Sequence, residues 1–150
     1  MHQQTPTAAS AATDMKPWIM QRSLAVQLLH AAQCSPEAEI CGLVSAEAGA
    51  PARYWPVKNA AETPSRNFEM DPEQLVRAQQ RIREAGHQLW AIFHSHPSSP
   101  AEPSAKDLAE TAYPDALRLI ATLNTKGVLE LRCWSLHGGK LQEQLLRIRD

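Results

Sequence analysis

Five residues in this sequence have types and spacings that suit joint chemistry: Glu39, His94, His96, Ser104 and Asp107. His94 and His96 lie two apart at the end of an apolar run, Leu89 to Phe93, that reads as a strand. Side chains two apart on a strand point to one face, so both imidazoles face the same way. Two neutral ring nitrogens on one face are the start of a metal centre. Pro97 then turns the chain, because it cannot continue the ladder. The loop after it carries Pro100 and Pro103 and leads to Ser104, which opens a short helix expected over 104–112. Asp107 lies in the first turn of that helix and can swing back to the same ion. Two histidines and one aspartate leave a fourth tetrahedral position for water, which is the arrangement of a catalytic rather than a structural zinc site. Zinc lowers the pKa of bound water toward ~7, but peptide hydrolysis also needs a carboxylate to take and return the proton. Glu39, at the mouth of the apolar strand Ile40 to Val44, is the candidate.

Each residue also has a plainer reading. Ser104-Ala105-Lys106-Asp107 fits an S-x-x-D capping box, which alone would account for both side chains. The two readings are compatible for Ser104 but compete for Asp107, which is not expected to reach the cap and ligate a metal well at once. Glu39 in isolation would be a solvated loop carboxylate. Cys41 reads as a small buried residue rather than a nucleophile, and Gly42 as a point of close backbone approach. His2, His30, His87 and His137 have no ligand-like partners in sequence and are read as surface. Trp55 and Trp90 fall in strand patterns and are assigned to the core. Trp134 fits either the core or a substrate groove. Asn59 and Phe68, on the connection before the longest helical pattern, are placed to shape a groove beside the metal.

Taken together, Glu39-Ile40-Cys41-Gly42-Leu43 and His94-x-His96-Pro97-x(6)-Ser104-x(2)-Asp107 resemble the JAMM (MPN+) metalloprotease motif. The second string is highly specific; the Glu-x-x-Gly piece alone is weak. The likeness extends from about Ile19 to the C-terminus. It implies a single α/β domain with a mixed central β-sheet flanked by helices, of the cytidine-deaminase-like JAMM/MPN type, with one Zn²⁺ per chain. It implies His94, His96 and Asp107 as metal ligands and Glu39 as general base and then general acid. Ser104 would donate a hydrogen bond to the oxyanion of the tetrahedral intermediate. Members of the family cleave peptide or isopeptide bonds after the C-terminal tail of a ubiquitin-like protein, and such a tail suits a narrow groove that adds it as a strand. Only seven residues separate His96 from Ser104, with no long insertion to hold a second ubiquitin. That argues against a linkage-specific deubiquitinase. The compact form is similar to prokaryotic members acting on ubiquitin-like sulfur-carrier proteins, so a sulfur carrier is the expected partner. The alternative is a non-catalytic scaffold of the same fold, but such relatives typically lose the metal ligands. A nucleobase deaminase would carry H-x-E and C-x-x-C; residue 96 is His and no C-x-x-C exists.

Several elements must position these residues. Trp18 to Met20 fits a short strand. Ser23 can cap a helix carrying Leu24, Leu28 and Ala31, with Val26 and Leu29 alongside, which ends at Ser35-Pro36. Arg53 to Lys58 is a strand joined to Ile40 to Val44 by a turn at Gly49-Ala50-Pro51. Asp71-Pro72 opens the clearest helix, with Asp71 as N-cap, Pro72 at the first position and Gly86 as the stop. Leu117 to Leu123 and Val128 to Leu136 are strands, and Lys140 to Ile148 is a last strand or a C-terminal helix.

The whole chain agrees with this scale of protein. One hundred and fifty residues with 43% hydrophobic and 21% charged side chains suit one domain with its own core. A net charge of −1 excludes a polybasic binder of nucleic acid or membrane as the default. No apolar run approaches the ~20 residues of a membrane-spanning helix. Met1 to Met15 is small and polar, lacks the features of a signal peptide and is expected to be a disordered tail, leaving 16–150 as the domain. Three cysteines, an odd count without a secretion signal, point to a reducing cytoplasmic setting.

Overall fold

The apolar runs at Ile40 to Val44 and Leu89 to Phe93 are apolar at nearly every position because both become interior strands of one sheet, covered on both faces. The computed structural model describes residues 15–109, 113–125 and 128–150. Its elements are β1 (Trp18–Gln21), α1 (Arg22–Gln33), β2 (Cys41–Glu47), β3 (Ala50–Val57), α2 (Pro72–Glu84), β4 (Gln88–His96), α3 (Ala105–Ala109), β5 (Leu117–Thr125), β6 (Val128–His137), β7 (Lys140–Gln144) and β8 (Leu146–Arg149). Six strands form the main sheet in the order β3-β2-β4-β5-β6-β7, and β1 pairs with β8 in a separate two-stranded ladder. Only β4 and β5 run parallel within the main sheet; the other pairs are antiparallel. A parallel pair needs a crossover connection, and here the crossover carries the loop after His96 and helix α3.

Alternation along the strands builds two cores. Val44, Phe93, Leu119, Ala121 and Cys133 face α1, which offers Leu24, Ala25, Leu28 and Ala32. Leu43, Trp55, Val57 and Ile92 face α2, which offers Ala78 and Ile82. Full burial of side chains such as Phe93 and Leu28 stabilises the sandwich by about 1.5–3 kcal/mol each. Trp55 and Trp90 are buried, as their strand positions imply. At Gly42 the neighbouring strand leaves no room for a side chain: a Cβ there would stand 2.4 Å from the Trp55 carbonyl oxygen. The hairpin between them turns on Ala48 and Gly49, both at positive φ, as a two-residue primed turn requires.

Asp71 caps α2, accepting from Gln74 N–H at 3.0 Å, and Gly86 follows its end at φ 75°. Three expectations are corrected. Ser23 is not a cap: β1 runs directly into α1, Gln21 is the N-cap, and it makes no side-chain capping bond. Packing of Leu24 and Leu28, rather than a cap, therefore fixes this helix. The segment 140–148 is neither one strand nor a helix. It breaks at Leu145, whose carbonyl accepts from Trp18 N–H at 2.9 Å, and its halves join different sheets. Strand β4 continues past Phe93 to include both histidines, because pairing with β5 extends to His96↔Thr122. The expected tail lies outside the described residues except for Met15, as do positions 110–112 of the helix expected over 104–112.

Candidate metal centre

The register of β4 sets the site. His94 and His96 share a sheet face with Ile92, with Ile120 and Thr122 opposite them on β5. On the other side Cys41 pairs with His94. The ladder runs one residue further, since Ser95 N–H donates to Ile40 O at 3.0 Å and Ile40 N–H to Ser95 Oγ at 2.9 Å. Glu39 therefore stands level with His96. Its backbone is fixed from both sides: its N–H donates to Pro64 O at 2.7 Å and its carbonyl accepts from Asn59 Nδ2 at 2.9 Å. Asn59 also donates to Asn67 O and accepts from Ala61 and Glu69 N–H, so one side chain organises the whole connection.

Asp107 arrives from the crossover. His94 Nε2, His96 Nε2 and Asp107 Oδ2 make a triangle with sides of 3.1, 3.0 and 3.2 Å. All three residues are buried. Hydrogen bonds satisfy such a triangle poorly, because one N–H points along one direction and cannot serve two acceptors set wide apart. Ligand atoms about 2.0–2.1 Å from a tetrahedral cation stand roughly 3.3 Å apart, so this donor set fits one zinc-sized ion. His96 Nδ1 lies 2.7 Å from Pro100 O. A carbonyl only accepts, so Nδ1 carries the proton and Nε2 presents its lone pair to the triangle. The His94 ring is held differently, stacked on Phe68 with centroids 4.4 Å apart. Among the described residues its buried Nδ1 has no hydrogen-bond partner. One Glu39 carboxylate oxygen and one ring nitrogen from each histidine all lie within 4.8 Å of one another.

The electrostatics follow from burial. Burial pushes the Glu39 carboxyl up to about 7, partly offset by the His96 imidazole and reinforced by Asp107. Burial lowers His94, which keeps it neutral as a metal ligand must be. Burial also opposes the charge on His96, but Asp107 and the Pro100 carbonyl outweigh it and raise its pKa. Burial likewise opposes the charge on Asp107, yet the two facing imidazoles and the Ser104 N–H hold it well below the usual carboxylate range.

Asp107 makes the cap and still faces the histidines. Asp107 Oδ2 accepts from Ser104 N–H at 2.8 Å while Asp107 N–H donates to Ser104 Oγ at 3.1 Å, a complete reciprocal cap. The same Oδ2 faces the histidines, because a carboxylate oxygen has lone pairs for both. Ser104 itself is exposed at the lip of the site. Cys41 is buried, donates to Val57 O at 3.3 Å and is pushed up to about 12 by burial, so it is an inert thiol. His30 and His137 are exposed. His87 is not: its side chain is 12% exposed and bonded to Ser45. His2 lies outside the described residues. Beside Glu39 opens a groove of about 360 Å³ lined in part by Ile40, Tyr54, Val57 and Asn59. The carbonyls of Pro64 and Pro100, which orient Glu39 and His96, left no signal in the sequence beyond their loop positions.

The fold is thus a mixed α/β sheet with flanking helices, carrying a His-His-Asp cluster beside a buried glutamate. The chain belongs to the Prok-JAB family, prokaryotic homologs of the JAB domain, which matches residues 21–137. It is 35% identical over 89 residues to the desampylase of Haloferax volcanii, a stretch covering 58% of this chain and 64% of that relative. The chain thus spans less than two thirds of that relative's length. It is 26% identical over 121 residues to the CysO-cysteine peptidase of Mycobacterium tuberculosis, covering 79% of this chain and 82% of that one. A solution structure of a protein from Desulfitobacterium hafniense shares the fold at a TM-score of 0.78 and 24% identity, over 88% of this chain and 92% of that one.

Proposed function

We propose that this chain is a zinc-dependent metallopeptidase that hydrolyses a peptide or isopeptide bond after the C-terminal tail of a ubiquitin-like sulfur-carrier protein. The observation that carries the reading is the triangle of His94, His96 and Asp107 with buried Glu39 beside it. Membership of the Prok-JAB family supports it, as do the relatives named desampylase and CysO-cysteine peptidase. His94 Nε2, His96 Nε2 and Asp107 Oδ2 would hold one Zn²⁺. Glu39 is read as the base rather than a ligand: Asp107 Oδ2 stands at tetrahedral ligand spacing from both histidines, while the Glu39 oxygen and the ring nitrogens are grouped only within 4.8 Å. The bound ion would polarise the scissile carbonyl and lower the pKa of water at the site.

The chain's own groups supply the rest. Glu39, raised to about 7, takes the proton of the attacking water on a carboxylate oxygen and returns it to the leaving amine. Asn59 and the Pro64 carbonyl hold the Glu39 backbone so that its side chain meets the water in one geometry. The Ser104 hydroxyl, whose oxygen already accepts from Asp107 N–H, is left its own proton to donate to the oxyanion. Phe68, flat against His94, keeps bulk water off that ring. The groove beside Glu39 receives the extended tail. In this reading residues 16–150 are the catalytic domain. A cytoplasmic setting goes with it: Cys34, Cys41 and Cys133 are free thiols, and among the described residues no helix is long and apolar enough to cross a membrane.

The test is a cleavage assay on a sulfur-carrier protein extended by a few residues beyond its terminal Gly-Gly. Cleavage after the second glycine, abolished by a chelator and restored by Zn²⁺, is expected. Cleavage that persists in chelator overturns the metal-dependent reading.

A further inference from the structure

The loop between His96 and Ser104 is gripped from the neighbouring strands at successive carbonyls. Thr122 Oγ1 on β5 lies 3.2 Å from His96 O and also donates to Ser99 O. On β6, Trp134 Nε1 donates to Ala101 O at 2.9 Å. Ala101 itself is 1% exposed, buried against Ile120 and Trp134 in a small core of its own. Arg132 stacks over the Trp134 ring at 4.7 Å and reaches Glu102 at 3.3 Å. Between the gripped residues 99 and 101 sits Pro100, whose carbonyl is the acceptor for His96 Nδ1.

We propose that Trp134 is a positioning residue for His96: by holding Ala101 O it fixes the Pro100 carbonyl, and that carbonyl fixes the His96 tautomer with Nε2 free to ligate. With Ser99 O and Ala101 O anchored and the φ of Pro100 fixed by its ring, the peptide plane between them is restrained and its carbonyl is held toward His96. An acceptor fixed at Nδ1 holds the proton there, which leaves the lone pair on Nε2. Among the described residues His94 Nδ1 has no such partner and its ring is held by Phe68 instead, so His96 is the ring of the pair whose tautomer the loop controls. This inference rests on the reading of His96 as a ligand, and its test separates the two.

The molecule provides its own control. Trp90 is buried like Trp134, but its Nε1 has no partner among the described residues. Trp134→Phe and Trp90→Phe therefore remove the same atoms, and only the first removes a loop contact. Two readouts are compared: imidazole ¹⁵N shifts of His96 in metal-free protein at a pH above its titration, where the ring is neutral, and Zn²⁺ affinity by competition with a chromogenic chelator. Wild type and Trp90→Phe are expected to show a single Nδ1–H tautomer on His96. Trp134→Phe is expected to show a mixed tautomer and about tenfold weaker zinc binding, the low end for loss of a group that orients a ligand. If Trp134→Phe matches Trp90→Phe in both tautomer and affinity, the proposal is wrong. If Trp134→Phe does not fold, Thr122→Val removes the other grip and must show the same two changes; their absence overturns the proposal equally. Should wild type take up no zinc at all, the metal-centre reading falls, and the tautomer comparison alone decides the role of Trp134.

Discussion

Two histidine clusters lie at opposite ends of the β2–β4 pair, and they use nearly the same residue types. At one end His94, His96, Asp107 and Glu39 converge. At the other, His87 Nδ1 lies 2.9 Å from Ser45 Oγ, which accepts from Trp55 Nε1 at 2.8 Å, while Glu47 lies 3.6 Å from His87 Nε2. Serine, histidine and glutamate in a row look like a nucleophilic triad on paper. The geometry says otherwise. The second cluster is a chain in which each buried donor has one acceptor, and Ser45 is wholly buried, so no substrate reaches its hydroxyl. The first is a triangle of electron-rich atoms about 3 Å apart with too few protons to satisfy it. A chain of satisfied hydrogen bonds holds strands together; a convergent set of electron-rich atoms at this spacing suits a cation, which is the role proposed for it.

The comparison breaks most sharply at Glu39. Glu39→Gln is expected to lower turnover by at least ~10²–10⁴-fold, because the proton acceptor is lost, while zinc stoichiometry stays at the wild-type value. Near wild-type turnover in that variant would remove Glu39 from the mechanism. Asp107→Ala removes one corner of the triangle and is expected to weaken zinc binding by about a hundredfold or more. It also deletes the cap acceptor of α3, at a cost of about 1 kcal/mol measured by denaturant titration of metal-free protein.

The pH dependence of stability gives a third contrast. Glu39 rises from 4.5 to about 7 on folding, so between those values the folded chain holds a proton that the unfolded chain has lost. Its contribution is fully present below the lower value and lost as pH rises through the upper one. Metal-free Glu39→Gln is therefore expected to exceed wild type in stability by roughly 1–3 kcal/mol at about pH 8, with no difference below about pH 4. A gap that persists in acid would refute the burial cost. Asp107 has the opposite sign: its depressed pKa adds stability that disappears as pH falls through the acid range.

The smallest effect belongs to the other cluster. Ser45→Ala leaves Trp55 Nε1 and His87 Nδ1 without a partner, at a cost of about 1–3 kcal/mol in stability, and is expected to leave turnover unchanged. A loss of turnover matching that of Glu39→Gln would show that the two ends are not functionally distinct.

Much of the site was legible because its information is local. The two-residue spacing of His94 and His96 dictates a shared strand face, and Ser104 to Asp107 is one helical turn. Gly42 and Cys41 were also readable, since a glycine and a small thiol inside an apolar strand have few uses. The supports were hidden because they join distant parts of the chain. Nothing near Phe68 or Trp134 tells which ring lies on His94 or which carbonyl the indole holds. That Asp107 completes the cap while the same oxygen faces the histidines escaped sequence reasoning, because it depends on the directions from which one oxygen is approached. Ser23 misled for a related reason: a capping residue type means little where a strand leads straight into a helix and packing sets the first turn.

The central claim is that Glu39 is set apart from a three-residue metal centre. Its most direct test is X-ray absorption at the zinc edge on reconstituted wild type, Glu39→Gln and Asp107→Ala, with metal content measured on the same samples. The account expects one zinc per chain in wild type, a shell of nitrogen and oxygen with two imidazoles and no sulfur, an unchanged spectrum in Glu39→Gln and an altered or depleted one in Asp107→Ala. A spectrum that changes with Glu39 and not with Asp107 would contradict it.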